Sequence, residues 1–204
     1  TLGYLAFNFY PWSSMNYLLN FLTIAMSQLL ESVRRQNELY AYAKKIDMLY
    51  VTDPLTSLYN RRGFFRAYND YAEGGVKDDC MVISVDLDNL KLINDNFGHN
   101  EGDNAILTMA NALKSAADEN DICARFGGDE YVVFCKGKGE YEMKVYIDKV
   151  NEYLSEYNLT SEKPYNVHGS FGGCIVPKGS KLHIDYYINK ADSKMYVEKE
   201  THKR

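Results

Sequence analysis

The apolar positions between residues 18 and 50 recur at helical spacing, but they fall into two series that do not share one register. The first series, from Leu22 to Val33, has intervals of four, three and four residues and predicts an amphipathic helix. The second, from Leu39 to Tyr50, is out of phase with the first. Two interpretations are open: one long helix packed on its own domain, or a two-stranded connector whose winding changes at the phase break. The length of the helix favours the connector.

Short elements replace this helix from Thr52 onward. Pro54 cannot continue a helix and disfavours helical backbone at the residue before it, so the long helix is expected to end there. Asn60 is a plausible N-cap for a second helix over residues 61–71.

A buried strand is predicted from Met81 to Asp88, where side chains alternate between two faces. Asp86 and Asp88 fall on one face at the C-terminal end of this strand. Two acids in that place are not core residues, and we favour metal binding over a pair of solvated acids.

The rest of the chain alternates helices with strands. Apolar residues before and after a Gly-Gly pair predict a β-hairpin, and a short helical turn is expected near Asn94. This order predicts an α/β fold, in which helices flank a mostly antiparallel, ferredoxin-like sheet and a long helix precedes it. The predicted helices cover 103–117, 140–157 and 184–199, and the predicted last strand covers 166–176.

Residues 125–131 read Arg-Phe-Gly-Gly-Asp-Glu-Tyr and form the most informative stretch of the chain. Glycines permit positive φ and allow a ligand to approach the backbone closely. Asp129 and Glu130 concentrate negative charge, which a divalent cation would offset. The combination suggests phosphoryl transfer, although an ordinary exposed hairpin turn fits this stretch equally well when it is taken alone.

Composition narrows the class of partner. The chain has 204 residues and a net charge of −5, which argues against a general nucleic-acid-binding surface. The four cysteines form no C-x-x-C pair and are expected to be reduced core residues of a cytoplasmic protein, alone or within a larger membrane-linked sensor. Polar residues interrupt the uncharged first 30 positions, so no spanning helix is predicted. The four histidines lack metal-ligand spacing.

Six motifs in order carry a resemblance to one family. Residues 53–204 resemble a GGDEF domain, the diguanylate cyclase family. The resemblance implies a palm-type nucleotidyl cyclase sheet and an enzyme that condenses two GTP into cyclic di-GMP with release of two pyrophosphates. The motifs are Asp53-x-Leu55-Thr56-x-Leu58-x-Asn60-Arg61-Arg62, Asp86-x-Asp88-x-x-Lys91-x-x-Asn94-Asp95, Gly98-His99-x-x-Gly102-Asp103, Gly127-Gly128-Asp129-Glu130-Tyr131, Ser170-x-Gly172 and Ala191-Asp192-x-x-Met195-Tyr196-x-x-Lys199.

The resemblance also implies roles for single residues. Mg²⁺ or Mn²⁺, two ions per site, would be bound by Asp86, Glu130, Asp129 and the carbonyl of Leu87. The implied catalytic residues are Asp129, Glu130 and Lys91, and which acid takes the proton is left open. The implied substrate-binding residues are Asn89, Leu90, Gly128, Lys199 and Lys203 around the triphosphate, with Asn94 and Asp103 at the base.

Asp103 carries the expected preference for guanine. A carboxylate accepts hydrogen bonds from the N1–H and the exocyclic amine of guanine, whereas adenine offers no such donor pair.

Departures from the family pattern are few. Asp118 replaces the arginine of the family's product-inhibition motif, so product binding there is not expected. Leu90 and Tyr131 stand where the family usually has Phe, and Lys203 stands where Arg is common. None of these changes removes a metal ligand.

Residues 1–35 resemble the end of a GAF sensory domain, and 36–52 would then be a signalling helix that leads into the GGDEF domain at 53–204. Each half-site holds one GTP while the product needs two, so a homodimer is expected to be part of catalysis. Downstream receptors of cyclic di-GMP are the other implied partners. The alternative is a catalytically inactive GGDEF module that binds GTP and signals through protein contacts, and a pure dimerisation unit would leave the clustered acids unexplained.

Overall fold

A computed structural model of the chain describes residues 12–202, with the side chains of 16–42 and 50–200. The chain divides into two compact units, Thr1–Asp47 and Met48–Arg204. Residues 1–11 of the segment that resembles the end of a GAF domain lie outside the described residues.

Helix α1, Trp12–Val51, is a continuous helix of 40 residues, so the expected long N-terminal helix is confirmed. Its apolar side chains between residues 16 and 42 are exposed, among them Leu22, Leu29 and Leu39. Ion pairs one turn apart, such as Arg35 with Glu31, support it along its surface. Within the described residues, no helix is both long enough and apolar enough to cross a membrane.

The second unit is a five-stranded sheet with helices on both faces, as the sequence predicted. Its strand order is β1-β3-β4-β2-β5, and neighbouring strands are antiparallel except for β1 and β3. The elements are β1 Tyr59–Asn60, α2 Arg61–Ala72, β2 Cys80–Leu87, α3 Leu90–Phe97, α4 His99–Ala116, β3 Ile122–Arg125, β4 Glu130–Cys135, α5 Glu140–Thr160, β5 Gly169–Val176 and α6 Ile184–His202.

Strand β2 lies in the middle of the sheet, and all eight of its residues are buried. One face, with Ile83 and Val85, packs in a core formed with α4 and α5. The other face, with Cys80 and Val82, packs in a core formed with α2 and α6. The face that carries Asp86 is therefore covered by helices. All four cysteines are buried and free, as expected from the sequence.

Helix α6 lies directly against the backbone of β5. A side chain at Gly172 would overlap the main-chain atoms of Ala191 and Met195, so glycine sets this close approach. The main-chain N–H of Phe171 donates to Glu198 Oε2 at 2.5 Å, which fixes the C-terminal half of α6 on the same strand. Lys199 follows at once and is held near the end of β2.

Asn60 connects the last turn of α1 with the first turn of α2. Its side-chain oxygen accepts from Gly63 N at 2.9 Å, so it is the predicted N-cap. Its Nδ2 donates to the carbonyls of Tyr50 at 3.0 Å and Thr52 at 3.1 Å. One amide therefore satisfies main-chain groups of two consecutive helices.

Helices α3 and α4 begin earlier than the sequence suggested. The predicted helix over 103–117 starts at His99, and α3 occupies the whole of Leu90–Phe97 rather than a single turn. Gly98, with φ 88°, separates the two helices, because this left-handed conformation ends α3. Asp103 consequently lies inside α4 rather than at its start.

Candidate active site

Strands β2 and β4 bring two of the candidate acids opposite each other. Asp86 pairs with Glu130 across the antiparallel ladder, and the next main-chain N–H, that of Leu87, donates to the carbonyl of Asp129 at 2.9 Å. Directly opposite residues of antiparallel strands have Cβ atoms roughly 5 Å apart, so their side chains share one surface. The acids from the strand end and from the hairpin thus meet at one edge of the sheet.

Lys199 of α6 forms an ion pair with the buried Asp86, in which Lys199 Nζ donates to Asp86 Oδ1. Burial raises the pKa of Asp86, and the negative charges of Asp129 and Asp88 raise it further. The hydrogen bond from Lys199 lowers this pKa, but not enough to reverse the shift. Burial lowers the pKa of Lys199, but its bond to Asp86 and the surrounding carboxylates outweigh that effect, so this pKa is raised overall. Lys199 therefore offsets only part of the negative charge on the described side chains here.

The oxygen atoms at this edge fit a divalent cation of the magnesium type. Carboxylates and main-chain carbonyls are the ligands that such hard cations take. Among the side chains that the structure describes, those of 16–42 and 50–200, no three of His, Cys, Asp or Glu lie close enough together to hold a metal ion. A cation here would rest on Asp86, Glu130 and main-chain oxygen, and Mg²⁺ commonly uses only one or two carboxylates and keeps its waters.

The Gly-Gly turn between β3 and β4 does not use the left-handed backbone conformation, and the space around it is open. Neither Gly127 nor Gly128 is among the glycines with positive φ, so backbone freedom does not explain this pair. The open space at the turn explains the pair instead, because a side-chain carbon at Gly128 would meet no described atom within 4 Å. A cavity of about 510 Å³ lies beside the turn and is lined by Glu130, Phe126 and Tyr196, among others. The hairpin thus leaves room for a ligand.

Arg125, whose role the sequence left open, bonds to the hairpin and to the entry turn of the domain. Its Nε and Nη2 donate to the carbonyl of Gly128 at 3.1 and 2.8 Å, and its Nη1 donates to Asp53 Oδ1 at 3.2 Å. Asp53 also accepts from the N–H and hydroxyl of Thr56 at 2.8 and 2.7 Å. Burial raises the pKa of Asp53, but the bonds from Thr56 and the charge of Arg125 outweigh it, so this pKa is lowered.

Helix α3 presents its first turn immediately after the acid-bearing end of β2. Asn89 precedes the helix in a left-handed conformation, φ 58°, and its carbonyl accepts from Ile93 N at 3.0 Å. The first N–H groups of a helix have no partner within the helix and suit an anion. Leu90 is partly buried against the core, whereas Lys91 is exposed. Lys203 lies outside the described residues.

The two candidate base-binding residues lie on adjoining parts of α3 and α4. The side chain of Asn94 occupies the space that a side chain at Gly102 would need. Asp103 is the next residue along α4, and it is exposed. Among the described side chains, 16–42 and 50–200, its carboxylate has no hydrogen-bond or ion-pair partner, so it is available to a ligand.

Ser170 lies at the site, although no role was predicted for it. Its hydroxyl donates to Asp88 Oδ1 at 2.9 Å, and Asp88 N donates to the carbonyl of His168 at 3.0 Å. Strand β5 therefore holds the second acid of the β2 end. The motif that contains Ser170 was visible in the sequence, but its partner was not, because 82 residues separate the two.

The stretch that replaces the product-inhibition motif forms a cluster centred on a lysine. Lys138 Nζ lies 2.6 Å from Asp118 Oδ2 and 2.6 Å from Asp121 Oδ2. The hydrogen bond from Lys138 lowers the pKa of Asp118. An adjacent cavity of about 500 Å³ is lined by Lys114 and by the acids of this stretch, Asp118, Glu119 and Asp121.

Comparison with known proteins assigns the family. The family described as "Diguanylate cyclase, GGDEF domain" matches residues 50–204, so the chain belongs to the GGDEF family. "Probable diguanylate cyclase DgcT" of Escherichia coli is 29% identical over 153 residues, which are 73% of this chain and 33% of that protein. "Diguanylate cyclase DgcP" of the same species is 30% identical over 151 residues, 72% of this chain and 44% of that protein. The chain thus spans less than half the length of either relative.

Solved structures share the fold. The coiled coil and GGDEF domain of DgcB from Caulobacter crescentus, in complex with c-di-GMP, aligns with a TM-score of 0.75 at 22% identity and covers 87% of this chain and 95% of its own. A microbial GGDEF domain solved with cyclic di-GMP aligns with a TM-score of 0.63 at 27% identity, over 76% of this chain and 94% of its own.

Proposed function

We propose that this chain contains the catalytic domain of a diguanylate cyclase, which condenses two GTP into cyclic di-GMP and releases two pyrophosphates. The observation that carries the proposal is the pairing of Asp86 with Glu130 across the ladder, with Lys199 bonded to the same aspartate. Clustered carboxylates are costly unless they hold a cation, and this cluster lies beside an open Gly-Gly turn. The family of residues 50–204 supports the same reaction.

Asp86, Glu130 and the Leu87 carbonyl are the proposed ligands of a first Mg²⁺ or Mn²⁺, and Asp129 is the further acidic group proposed for a second ion, which gives two ions per site. When bound, such ions offset the charge on the triphosphate and on the attacking oxygen. The protein's own groups bind and orient the nucleotide. The N–H groups at Asn89 and Leu90 would donate hydrogen bonds to phosphate oxygens, and Gly128 would leave space for the nucleotide. Positive charge for the triphosphate would come from Lys91, Lys199 and Lys203.

The reaction joins the 3′-oxygen of one GTP to the α-phosphorus of another, and pyrophosphate leaves with the electrons of the broken bond. The hydroxyl proton passes to a base beside the hairpin, for which Asp129 and Glu130 are the candidates. Asn94 and Asp103 would bind guanine, because the free carboxylate of Asp103 matches the two donors on its edge.

Two such sites must face each other to close the cyclic product, so we propose a homodimer. The exposed apolar side chains of α1 offer a surface for pairing with a second copy. We further propose that an upstream sensory domain sets this pairing, and that the domain works in the cytoplasm, where its substrate GTP is found.

The test is incubation of the purified chain with GTP and Mg²⁺, with products resolved by chromatography, beside Glu130→Gln. Cyclic di-GMP from the parent and none from the variant is the expected result. Glu119→Gln is the matched control, because Glu119 is an exposed glutamate outside the proposed site. Product from the parent should rise with the square of protein concentration where dimers are scarce.

Absence of product at high protein concentration, with GTP bound, would replace the cyclase by the inactive GTP-binding module. Absence of both turnover and GTP binding would leave only a dimerisation role.

A further inference from the structure

We propose that Glu101, Lys163 and Tyr165 form a clamp that positions the base-binding side of the site, so that Lys163 and Tyr165 are positioning residues for guanine selection. The inference rests on the proposed function, in which Asn94 and Asp103 hold the base. The clamp acts through helices α3 and α4 rather than on the nucleotide. No motif of the sequence includes Lys163 or Tyr165.

The clamp joins the first turn of α4 to residues 161–168, which connect α5 with β5. Lys163 Nζ donates to both carboxylate oxygens of Glu101, at 3.0 and 2.8 Å. The hydroxyl of Tyr165 lies 2.6 Å from Glu101 Oε2 and 3.2 Å from the carbonyl of Glu101. The lysine thus bonds to the side chain alone, whereas the tyrosine bonds to the side chain and the backbone of α4.

Tyr165 also contacts the end of α3. Its ring centroid lies 5.5 Å from that of Phe97, the last residue of that helix. One side chain therefore touches both helices that carry the candidate base-binding residues. Asn94 lies one turn before Phe97, and Asp103 lies two residues after Glu101.

The start of α4 needs such support because its own sequence provides little. Its N-cap is Gly98, which has no side chain to accept from the helix. Among the described residues, the main-chain N–H groups of this turn bond to the Gly98 carbonyl, which accepts from Glu101 N at 3.1 Å and Gly102 N at 3.2 Å. An external clamp fixes what a capping side chain would otherwise fix.

The segment that carries the clamp is itself anchored. Asn158 of α5 forms two hydrogen bonds with the backbone of Val167. Asn158 Nδ2 donates to the Val167 carbonyl at 2.9 Å, and the Val167 N–H donates to Asn158 Oδ1 at 2.8 Å. Val167 is fully buried in the core, and Tyr165 is 9% exposed. The position of Tyr165 is therefore set by the core, and the clamp transfers that position to α4.

Guanine recognition depends on such placement. A carboxylate accepts from two donors of guanine only while both distances remain within hydrogen-bond range, so a small displacement of α4 removes one of the bonds. Inosine triphosphate lacks the exocyclic amine and cannot lose that bond. The ratio of GTP to inosine triphosphate affinity thus reports how well Asp103 is placed.

The experiment measures equilibrium binding of both nucleotides to the full chain and to Tyr165→Phe, Lys163→Met and Lys163→Arg. Tyr165→Phe keeps the ring on Phe97 and removes both hydrogen bonds to Glu101. We expect Tyr165→Phe and Lys163→Met to lower the GTP preference roughly tenfold, the effect of one hydrogen bond, and Lys163→Arg to retain it. In turnover, KM for GTP rises while kcat changes little, because the clamp touches no reacting group.

Tyr146→Phe is the matched control. The Tyr146 hydroxyl also donates to a carbonyl of α4, that of Leu113 at 2.6 Å, but at the opposite end of the helix. Its removal should lower the melting temperature and leave the GTP preference unchanged. If Tyr165→Phe unfolds, Lys163→Met answers the same question, because its side chain is 30% exposed.

An unchanged nucleotide ratio in folded clamp variants, or an equal change in Tyr146→Phe, would overturn the proposal and reduce the clamp to a structural role. A parent chain that binds both nucleotides equally would overturn the proposed guanine site, and the clamp's role with it. The two failures are distinguished by whether preference is absent in the parent or merely unaffected in the variants.

Discussion

Arg125 and Asp53 form an ion pair that ties the entry turn of the GGDEF domain to its Gly-Gly hairpin, with side chains only 13% and 17% exposed. Because the same guanidinium donates to the carbonyl of Gly128, one residue sets the position of two motifs. A lysine lacks the planar fork needed to bond both. We expect Arg125→Lys to lower the free energy of unfolding by about 1–3 kcal/mol and to reduce GTP turnover, as measured by urea denaturation and product formation.

Arg34→Lys serves as the control for that variant. Arg34 forms a surface ion pair with Glu38 on α1, where its side chain is 81% exposed, and such pairs contribute little. Equal stability losses in both variants would contradict the special position of Arg125.

Two glycine substitutions should affect different properties, one the stability of the fold and the other the affinity for GTP. Gly172→Ala places a carbon against the main chain of α6 and should destabilise the fold by about 1–3 kcal/mol. Gly128→Ala enters open space at ordinary φ, so its melting temperature should match that of the parent. Its GTP affinity should nevertheless fall, because the new methyl group fills the space proposed for the nucleotide. Thermal melting and equilibrium GTP binding separate the two effects, and unimpaired binding by Gly128→Ala would remove that residue from the site.

Gly102→Ala should displace the side chain of Asn94 and weaken GTP binding. The reason is steric, since the added carbon would occupy the place of the Asn94 amide. A double-mutant cycle with Asn94→Ala measures this coupling. We expect Gly102→Ala to weaken binding in the parent and to have little effect once Asn94 is shortened; additive losses would mean that the two residues act separately.

Acid should remove the stability that Glu101 contributes. Hydrogen bonds from Lys163 and Tyr165 lower the pKa of Glu101 to about 2, below its unfolded-state value of about 4.3. The ionised folded form is thus favoured above pH 4.3, and the gain disappears as the pH falls towards 2. Urea denaturation should show that Glu101→Gln is less stable than the parent at pH 6 and that the difference narrows steadily below pH 4. A difference independent of pH would exclude ionisation as its source.

Cyclic di-GMP should not inhibit this chain through the Asp118 stretch. Lys138 already pairs with Asp118 and Asp121, and these acids would repel an anionic dinucleotide. We expect GTP turnover to be insensitive to added product, in the parent and in Lys138→Met alike. Inhibition that was present in the parent and lost in the variant would show that Lys138 takes over the part of the missing arginine.

Periodicity predicted the longer helices and strands, and it failed where an element is too short to show a period. Strand β2 was recognised by its alternation, but α6 covers the face that carries Asp86, and only the three-dimensional packing reveals this. Strand β1 was missed because its two residues, Tyr59 and Asn60, have no period. The start of α4 was placed late because a helix that begins at a glycine lacks the usual capping signal.

The motif residues of the site could be found in the sequence, whereas their supporting contacts could not. Arg125 lies 72 residues from Asp53, and Lys163 lies 62 residues from Glu101. An ion pair between such distant positions leaves no spacing pattern in a single sequence. Local signals therefore located the groups proposed to act on substrate, and the fold was needed to find the groups that hold them.

The amide of Asn60 makes the last turn of α1 and the first turn of α2 mechanically dependent on each other. Its oxygen caps α2 while its nitrogen donates to the carbonyls of Tyr50 and Thr52, so a single short side chain links the two helix ends. A change in the twist of the α1 end must break these bonds or turn the start of α2 with it. Strand β1, which ends at Asn60 and runs parallel to β3, carries such a turn to Arg125, its partner in register. A torque applied to the helix end would therefore reach the Gly-Gly hairpin through two residues, Asn60 and Arg125.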